Sequence, residues 1–291
     1  MGYVGTQLCK VLSIDKNNKI TVIGHNFKPD RVAWLIENGI SYYQRDLFDI
    51  KDLTGKVDIC YHLASLTNVP RLASESSLEQ DSEIFRIGTL GTKYLIDNLE
   101  KNAKIIFAST QIVYDGIATE TLNITEDVLP SPLVAYSISK RLSELDLLNS
   151  DRNCIIARFG STYGYNESIR CDILPNLFSK RASMGLNLNV FGGNNYKPLI
   201  GINDLAECLS FLSTSNYNKE IFHCVSENRR VIEVANICKK YNDKISIIIT
   251  DNETPNKGFS LSNQKIINAG FKFKQNLDDE IGNMIKLWSN K

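Results

Sequence analysis

Apolar runs of strand length alternate with amphipathic segments through the first two-thirds of the chain. The runs are KITVIGHN (19–26), SYYQRDLFD (41–49), VDICYHLAS (57–65), AKIIFAST (103–110) and NCIIARFGS (153–161). Helical stretches over 30–39, 83–102 and 135–148 lie between them. Continuous apolar strands joined by helices are typical of a parallel sheet covered on both faces. The pattern predicts an α/β fold with a doubly wound, Rossmann-like parallel sheet.

After about residue 165 the pattern becomes less regular, and short helices, isolated strands and polar turns follow one another. We therefore expect a first domain over 1–165. A smaller mixed α/β lobe is expected over 166–291, with part of the chain returning to the first domain.

Composition narrows the class of protein. Among 291 residues, 33 Lys and Arg balance 33 Asp and Glu, so no strong field would attract nucleic acid or a membrane surface. The longest apolar stretches are too short to span a bilayer. Seven cysteines without a CxxC pair indicate reduced thiols and a cytoplasmic protein. Three scattered histidines give no metal-ligand spacing, so no metal is expected.

The chain opens with two glycines, Gly2 and Gly5, in front of an amphipathic stretch. Such a pair is typical of the second half of a phosphate-binding turn entering a helix. Two interpretations are open: a dinucleotide-binding chain that lacks its first strand, or a chance pair. We expect the former, with the first strand upstream of Met1. In a doubly wound sheet that strand is central, and its loss would leave the strands at 19–26 and 57–65 without their shared neighbour.

The strongest chemical signal is AYSISK, in which Tyr136 and Lys140 lie one helical turn apart. This spacing puts both side chains on one face of a helix. An ammonium group near a phenol favours the phenolate and lowers a pKa that starts near ~10. Such a tyrosine can move a hydroxyl proton during hydride transfer. Two solvated side chains on a surface helix would give the same pattern, so its weight depends on neighbouring features.

One such feature is the end of the strand at 103–110, where Ser109 and Thr110 stand. Parallel α/β sheets bind their ligands at the carboxyl ends of the strands. A hydroxyl group there can donate to the same substrate oxygen that the tyrosine serves. The alternative for Thr110 is a hydroxyl that caps the next segment.

Together these motifs resemble the extended short-chain dehydrogenase/reductase family, the NAD-dependent nucleotide-sugar epimerases and dehydratases. GYVGTQL is similar to the end of the family's glycine motif, RDLFD to its adenine-contacting stretch and VDICYHLAS to its strand beside the cofactor. ASTQIVYDG is similar to the active-site strand and AYSISK to the Tyr-x-x-x-Lys helix. RFGSTYG and GGNNYKPLIGINDLA resemble segments of the substrate lobe. The resemblance covers nearly the whole chain.

The resemblance implies that Tyr136 is the acid/base, that Lys140 lowers its pKa and binds the nicotinamide ribose, and that Thr110 holds the reacting sugar oxygen. It implies NAD or NADP as cofactor, bound by Gly2, Tyr3, Val4, Gly5, His25, Asp46, Leu47, Leu63, Ala64, Ala108, Ser109, Tyr136, Lys140 and Phe159. It implies a nucleotide-sugar substrate bound by Ser65, Thr67, Thr110, Gln111, Ser161, Lys197 and Lys257. His62 is expected to pack rather than to react.

The chain also departs from the family pattern. Gly-His-Asn at 24–26 stands where many relatives have an acidic residue for the adenosine ribose, which leaves NADP open beside NAD. Gln111 and Ile112 stand where the dehydratases have Asp-Glu, which disfavours dehydration. Lys197 stands where relatives often have a diphosphate-binding arginine, and lysine supplies charge without the planar fork.

These observations predict an NAD(P)-dependent epimerase that oxidises a nucleotide-activated sugar and reduces it again. An NADPH-dependent nucleotide-4-keto-sugar reductase is one alternative. A truncated, catalytically dead binding protein is the other. Apolar stripes at 84–95 and 138–148 permit a homodimer, although the same stripes would serve to pack the helices on the sheet.

Overall fold

Parallel strand pairs form the framework of the chain, as the alternating pattern predicts. The computed structural model describes residues 1–53, 57–67, 77–117, 119–250 and 258–290. Two compact units divide the chain. The first comprises Met1–Asp115, Pro130–Arg158 and Leu209–Ile221, and the second comprises Gly116–Leu129, Phe159–Cys208 and Phe222–Lys291. The domain boundary near residue 165 stays a prediction.

The strands of the described residues are β1 (Thr21–Gly24), β2 (Ser41–Gln44), β3 (Ile59–His62), β4 (Lys104–Thr110), β5 (Thr121–Ile124), β6 (Cys154–Phe159), β7 (Ser161–Tyr163), β8 (Leu188–Phe191), β9 (Tyr196–Gly201), β10 (Glu220–Cys224), β11 (Glu227–Arg230), β12 (Ile247–Thr250) and β13 (Phe259–Leu261). The α-helices are α1 (Tyr3–Leu12), α2 (Pro29–Glu37), α3 (Leu78–Phe85), α4 (Gly91–Asn98), α5 (Ala135–Asn149), α6 (Leu174–Ser183), α7 (Ile202–Thr214), α8 (Val231–Tyr241), α9 (Gln264–Asn268) and α10 (Leu277–Ser289). Short 3-10 helices cover Lys51–Leu53 and Gln111–Tyr114, and a π-helical segment covers Arg86–Leu90.

Two sheets organise the first unit. β1 and β2 form a parallel pair, and β3 pairs in parallel with β4 in a sheet of order β10-β6-β4-β3. Among the described residues no strand pairs with the other edge of β1 or of β3. The first strand expected upstream of Met1 stays a prediction. The strand predicted over 41–49 is shorter, because the carboxylate of Asp46 accepts a bond from the Phe48 amide at 3.0 Å and closes a turn.

β4 is the best-buried strand of this unit, and all seven of its residues are buried. Ile105 and Phe107 pack with Leu99, which follows α4, with Leu147 of α5 and with Ile156 of β6. A continuous apolar run is what such a central position requires. β4 is therefore packed into this core along its whole length.

Two buried cations close helix ends in the same unit. Lys104 Nζ donates to the carbonyls of Leu212 and Ser215 at 3.1 and 2.6 Å, at the end of α7. The guanidinium of Arg152 donates to the carbonyls of Ile96, Leu99 and Glu100 at the end of α4. The last carbonyls of a helix lack partners within the helix and attract cations. This explains how charged side chains are tolerated at these two places.

The single helix predicted over 83–102 is divided by its π-helical segment. The segment passes close to α5: a Cβ atom on Gly88 would lie 2.1 Å from Oγ of Ser139. The carbonyl of Gly88 accepts bonds from Ser143 Oγ at 3.1 Å and Thr92 Oγ1 at 2.6 Å. Two hydroxyl groups thus hydrogen-bond to the Gly88 carbonyl at the point where the regular hydrogen bonds of the α-helix are interrupted.

The second unit has its own sheets and core. Its strands form β11-β9-β7, β12-β8 and β13-β5, of which β9 and β11 are antiparallel. α6, α8 and α10 surround a core that includes Phe178, Val234 and Ile281. Asp204 accepts bonds from the amides of Lys274 and Gln275, each at 2.9 Å, and so fixes the segment before α10.

Candidate active site

The site begins at the contact between α5 and the end of β4. Lys140 is 3% exposed, and its Nζ donates to the carbonyl of Ala108 at 2.7 Å. The same Nζ lies 4.7 Å from the ring centroid of Phe107 and 6.0 Å from that of Tyr136. Tyr136 and Lys140 therefore share one face of α5, as their spacing predicts, and this face lies against β4.

The start of α5 is fixed by the turn before it. The Val134 amide donates to Ser137 Oγ at 3.2 Å, and the hydroxyl of Ser137 donates to Asp115 Oδ2 at 3.2 Å. Asp115 Oδ1 also accepts the Leu133 amide at 2.7 Å. These bonds engage the amides of the two residues that precede α5. They hold Tyr136, in that first turn, in a defined position.

Burial tunes the charge of Lys140. Loss of solvent lowers the pKa of this ammonium to about 7, although the carboxylate of Glu144 acts in the opposite direction. A lysine in this range changes charge near neutral pH. Perturbed groups of this kind cluster at functional sites.

Thr110 ends β4 and also begins the next segment. Its Oγ1 accepts the amide of Ile112 at 3.2 Å and caps the 3-10 helix Gln111–Tyr114. Thr110 therefore caps the next segment, as one of the two interpretations of its hydroxyl predicts, and it does so as a hydrogen-bond acceptor. Because the bond uses only a lone pair, the O–H remains able to donate. The role of Thr110 toward a substrate stays a prediction.

Ser109 serves a different partner from the predicted cofactor. Its hydroxyl donates to Oε1 of Glu144 at 2.5 Å, and both residues are buried. Glu144 also accepts two bonds from the fully buried guanidinium of Arg158, both at 2.8 Å. Burial alone would raise the pKa of the Glu144 carboxyl, but the hydrogen bonds and charge of Arg158 hold it below its usual range.

One of the two residues of this pair is recognisable in the sequence. Arg158 is a charged residue inside the apolar run NCIIARF, and a buried charge requires a partner. Glu144 follows Lys140 by four residues and therefore lies on the same face of α5. The sequence alone does not show that Glu144 of α5 contacts Arg158 of β6, 14 positions later, because this contact depends on the fold.

His62 is packed and neutral. Its Nε2 lies 3.0 Å from Oγ1 of Thr92, and the Thr92 hydroxyl donates to the carbonyl of Gly88. Because a hydroxyl has one hydrogen, Nε2 of His62 is the donor of the first bond. Burial, assisted by the charge of Lys140, lowers the pKa of His62 to about 3. A group that stays neutral at pH 7 with its hydrogen already engaged is poorly suited to exchange protons with a substrate.

The start of α1 carries the two glycines of the predicted phosphate-binding turn. Gly2 is exposed and is the N-cap, and no side chain caps it. Tyr3 is buried, and a Cβ on Gly5 would lie 3.7 Å from Leu63 Cδ1. The first amides of a helix attract anions when no side chain occupies them. The donor set thus suits the pyrophosphate of a dinucleotide.

Asp46 lies among basic groups. Its Oδ2 lies 4.0 Å from His25 Nδ1 and 3.9 Å from Arg86 Nη2. Arg86 stacks over the ring of Phe48 at 5.2 Å and pairs with Glu83 at 2.7 Å. Arg86 was not among the residues that the sequence predicts for the site. It belongs to the π-helical segment, whose course could not be foreseen.

The remaining predicted residues are more scattered. Leu47 packs toward Gly91, where a Cβ would lie 2.3 Å from Leu47 Cδ2. The segment after β3 carries Leu63, Ala64, Ser65 and Thr67, of which Ala64 is exposed and the others are half-buried. Gln111 is buried in the 3-10 helix after β4. None of these positions contradicts the predicted roles, which stay predictions.

Four predicted residues belong to the second unit or fall outside the described residues. Phe159 ends β6 and Ser161 begins β7. Lys197 lies on β9, opposite Arg229 of β11, and burial lowers the pKa of its ammonium. Lys257 lies outside the described residues.

Within the ranges that the structure describes, no group of three or more His, Cys, Asp or Glu side chains could hold a metal ion. No helix in the described part of the chain is long and apolar enough to cross a membrane.

The parallel α/β fold and the Tyr136–Lys140 pair beside β4 define the class as a Rossmann-like protein with a Tyr-x-x-x-Lys helix. More narrowly, the chain belongs to the NAD-dependent epimerase/dehydratase family, whose model matches residues 1–224. A UDP-glucose 4-epimerase of Mycoplasma genitalium is 26% identical over 328 aligned positions, which cover all of this chain and 94% of the relative. The predicted family is therefore confirmed.

Solved structures give the same fold. The UDP-glucuronic acid 4-epimerase from Bacillus cereus, in complex with UDP-glucuronic acid and NAD, matches with a TM-score of 0.83 at 20% identity, over 98% of this chain and 96% of that one. The UDP-glucose 4-epimerase of Thermotoga maritima with UDP-glucose matches with a TM-score of 0.82 at 16% identity, over 99% and 96%. At such identities the likeness shows the fold alone, and it confirms the Rossmann-like fold class.

Proposed function

We propose that this protein is an NAD-dependent epimerase that inverts C4 of a UDP-hexose. The observation that carries the proposal is the Tyr136–Lys140 pair, anchored by the bond from Lys140 to the carbonyl of Ala108. Family membership and the activity named for the Mycoplasma relative support the same reaction.

The first unit offers groups that fit the cofactor. The amides at the start of α1, beside Gly2 and Gly5, would hold the pyrophosphate. Asp46 and Leu47 would contact the adenine, and Lys140 would bind the nicotinamide ribose. Bound NAD would take a hydride from C4 of the sugar and return it. We propose NAD rather than NADP, because the solved epimerases of the same fold from Bacillus cereus are complexes with NAD.

The protein's own groups handle the proton. The phenolate of Tyr136 would take the proton of the 4-hydroxyl as the carbonyl forms, and would give it back when the hydroxyl is restored. The ammonium of Lys140 would favour the phenolate by its charge. The O–H of Thr110 would donate to the same sugar oxygen and hold it in place.

The overall reaction has no net change of oxidation state, so one bound cofactor suffices for many turnovers. Dehydration finds no support, because the two positions after Thr110 are Gln111 and Ile112, and neither side chain can accept a proton at neutral pH. A reductase differs from an epimerase in a measurable way, since it consumes one reduced cofactor for each product.

The test is incubation of the purified protein with UDP-galactose and, in parallel, with UDP-galacturonic acid. We expect inversion at C4 without added cofactor. Tyr136→Phe should lower kcat by about 10²- to 10⁴-fold while NAD stays bound, because it removes the proton carrier alone. Tyr43→Phe makes the same chemical change on the exposed part of β2 and should leave kcat unchanged.

Three outcomes would contradict the proposal. They are full activity in Tyr136→Phe, no inversion of either sugar by NAD-bound protein, and product formed only with equal oxidation of NADPH. The last outcome would favour the reductase.

A further inference from the structure

Glu144 is a buried charge to which the proposed chemistry gives no role. Its side chain is 0% exposed, and it lies on the same face of α5 as Lys140, one turn further along. Burial of a carboxylate is costly unless partners compensate it fully. The identity of those partners indicates what the residue does.

Both oxygens of Glu144 are fully engaged. Oε1 accepts Ser109 Oγ at 2.5 Å and Arg158 Nε at 2.8 Å. Oε2 accepts Arg158 Nη2 at 2.8 Å and Arg141 Nη1 at 3.0 Å. Ser109 directly follows Ala108, whose carbonyl receives the bond from Lys140. Two consecutive residues of β4 are therefore tied to two consecutive turns of α5.

The same network reaches the segment that Thr110 caps. Arg158 Nη1 donates to the hydroxyl of Tyr114 at 2.5 Å, and Tyr114 ends the 3-10 helix that starts after Thr110. Thr110 thus stands between Ser109, bound to Glu144, and a helix whose last residue is bound to Arg158. The buried cluster thus contacts the residues on both sides of Thr110 and the helix that carries Tyr136 and Lys140.

We propose that Glu144 is a positioning residue, which with Arg158 and Ser109 fixes α5 against the end of β4 and places a carboxylate one helical turn from the amine of Lys140. The importance of that charge for catalysis rests on the proposed function. The charge of Lys140 itself does not, and it can be measured without a substrate.

The surroundings of Lys140 make Glu144 its counter-charge. The titratable and charged groups around α5 and the end of β4 are His62 of β3, Tyr136, Arg141 and Glu144 of α5, Tyr114 of the 3-10 helix, Asp115 directly after it and Arg158 of β6. Two of these seven groups are carboxyl groups. Asp115 binds Ser137 and the Leu133 amide at the start of α5, whereas Glu144 lies one turn from Lys140 on the same face of the helix. Burial disfavours the ammonium, and the Glu144 carboxylate opposes that effect.

Two substitutions have opposite expected effects. Glu144→Gln removes the carboxylate and leaves Arg158 and Arg141 uncompensated, so the pKa of Lys140 should fall by about 1 unit or more. Arg158→Gln removes a cation and leaves the carboxylate, so the same pKa should rise. If Glu144 and Arg158 only stabilised the structure, the two substitutions would not shift the pKa of Lys140 in opposite directions.

The measurement is the ¹³Cε shift of Lys140 against pH, in protein labelled with ¹³C-lysine and saturated with NAD. Lys140→Met identifies the resonance by its absence. Glu144→Asp keeps the charge and should keep the midpoint near that of the unsubstituted protein. Arg152→Met removes a buried arginine of the same unit whose guanidinium donates to helix-end carbonyls, and it should not move the midpoint.

Activity adds a second readout. With UDP-galactose at pH 7.5, Glu144→Gln should lower kcat about tenfold or more at a nearly constant KM, because the binding groups are unchanged and the reacting groups shift. Arg152→Met should retain its kcat at a temperature where it is folded.

Each outcome is decisive. An unmoved midpoint in folded Glu144→Gln, or shifts of the same sign in Glu144→Gln and Arg158→Gln, would overturn the inference. If one of the two variants does not fold, the sign of the shift in the other decides. Shifts as expected without turnover of any UDP-hexose would refute the proposed function and leave this inference standing.

Discussion

At the scale of the residue, burial decides which groups of this site exchange protons near neutral pH. Lys140 and His62 both lose their solvent, and for both groups burial disfavours the charged form. The pKa of Lys140 stops at about 7, with the Glu144 carboxylate acting to raise it, whereas that of His62 falls to about 3, because Lys140 adds to the effect of burial. Two buried side chains of the same unit thus differ: Lys140 changes charge near neutral pH, whereas His62 stays neutral there.

His62 should make the protein sensitive to acid. Its pKa is about 3 in the folded state and near 6.5 in the unfolded chain. Between these values the unfolded chain binds one more proton, so stability is complete above pH 6.5 and falls as the pH falls toward 3. The slope contributed is about 1.4 kcal/mol per pH unit. His62→Gln should remove it, and urea unfolding at pH 4.5 to 7 would measure the difference.

The matched control is His25→Gln, which replaces an imidazole whose side chain is 78% exposed. It should unfold with the same pH dependence as the unsubstituted protein. Parallel stability curves for the unsubstituted protein and His62→Gln would show that the buried imidazole does not carry the acid response.

The residue scale also shows what the sequence could reveal. Tyr136, Lys140 and Thr110 could be found because each belongs to a short motif whose spacing carries the chemistry. Glu144 and Arg158 could not be joined in this way, because their contact depends on the packing of α5 against β6. The charged Arg158 inside an apolar strand indicates that it has a partner, but it does not show which residue that partner is.

At the scale of the element, local rules predicted well where the backbone obeys them. The helix predicted over 135–148 is α5 (Ala135–Asn149), and the run 103–110 is β4 (Lys104–Thr110). The prediction of a single helix over 83–102 did not include the π-helical segment, because that segment lies where α5 approaches closely. Gly88 and Ser139 set that approach, and no periodicity within either helix reports it.

Gly88→Ala should test this crossing. The added Cβ would meet Ser139 Oγ, which is itself held by the carbonyl of Ile84 at 3.3 Å. Overpacking of this kind costs about 1–3 kcal/mol, reduced by the better helix propensity of alanine. Ser139→Ala removes the obstructing atom, so the double variant should be more stable than the sum of the two single effects predicts.

Chemical unfolding of the four proteins of this cycle gives the coupling energy directly. Additive effects would mean that the two helices can separate without cost, and the proposed origin of the π-helical segment would then be wrong.

At the scale of the whole molecule, apolar side chains remain on the surface of the predicted dimer stripes. Leu90, Leu142 and Leu145 are 55%, 40% and 37% exposed, whereas Ile84, Leu95 and Leu147 of the same stripes are buried. The stripes thus have an inner part that packs in the unit and an outer part that faces away. Contiguous exposed apolar side chains are typical of association sites.

We propose that the outer part pairs two copies of the chain. Leu142→Glu combined with Leu145→Glu should then lower the mass seen in sedimentation from that of a dimer to that of a monomer. Leu122→Glu alters a side chain of similar exposure on β5 and should leave the mass unchanged. A monomer in every sample, the unsubstituted protein included, would refute the pairing.

The Glu144–Arg158 pair also restricts how this sequence can diverge. Loss of either partner alone strands the other charge in the interior at about 3–5 kcal/mol, a large share of the stability of an ordinary domain. Joint replacement by well-packed apolar residues is far less costly. Descendants should therefore keep both codons or exchange them together, and variants that carry only one change should be rare.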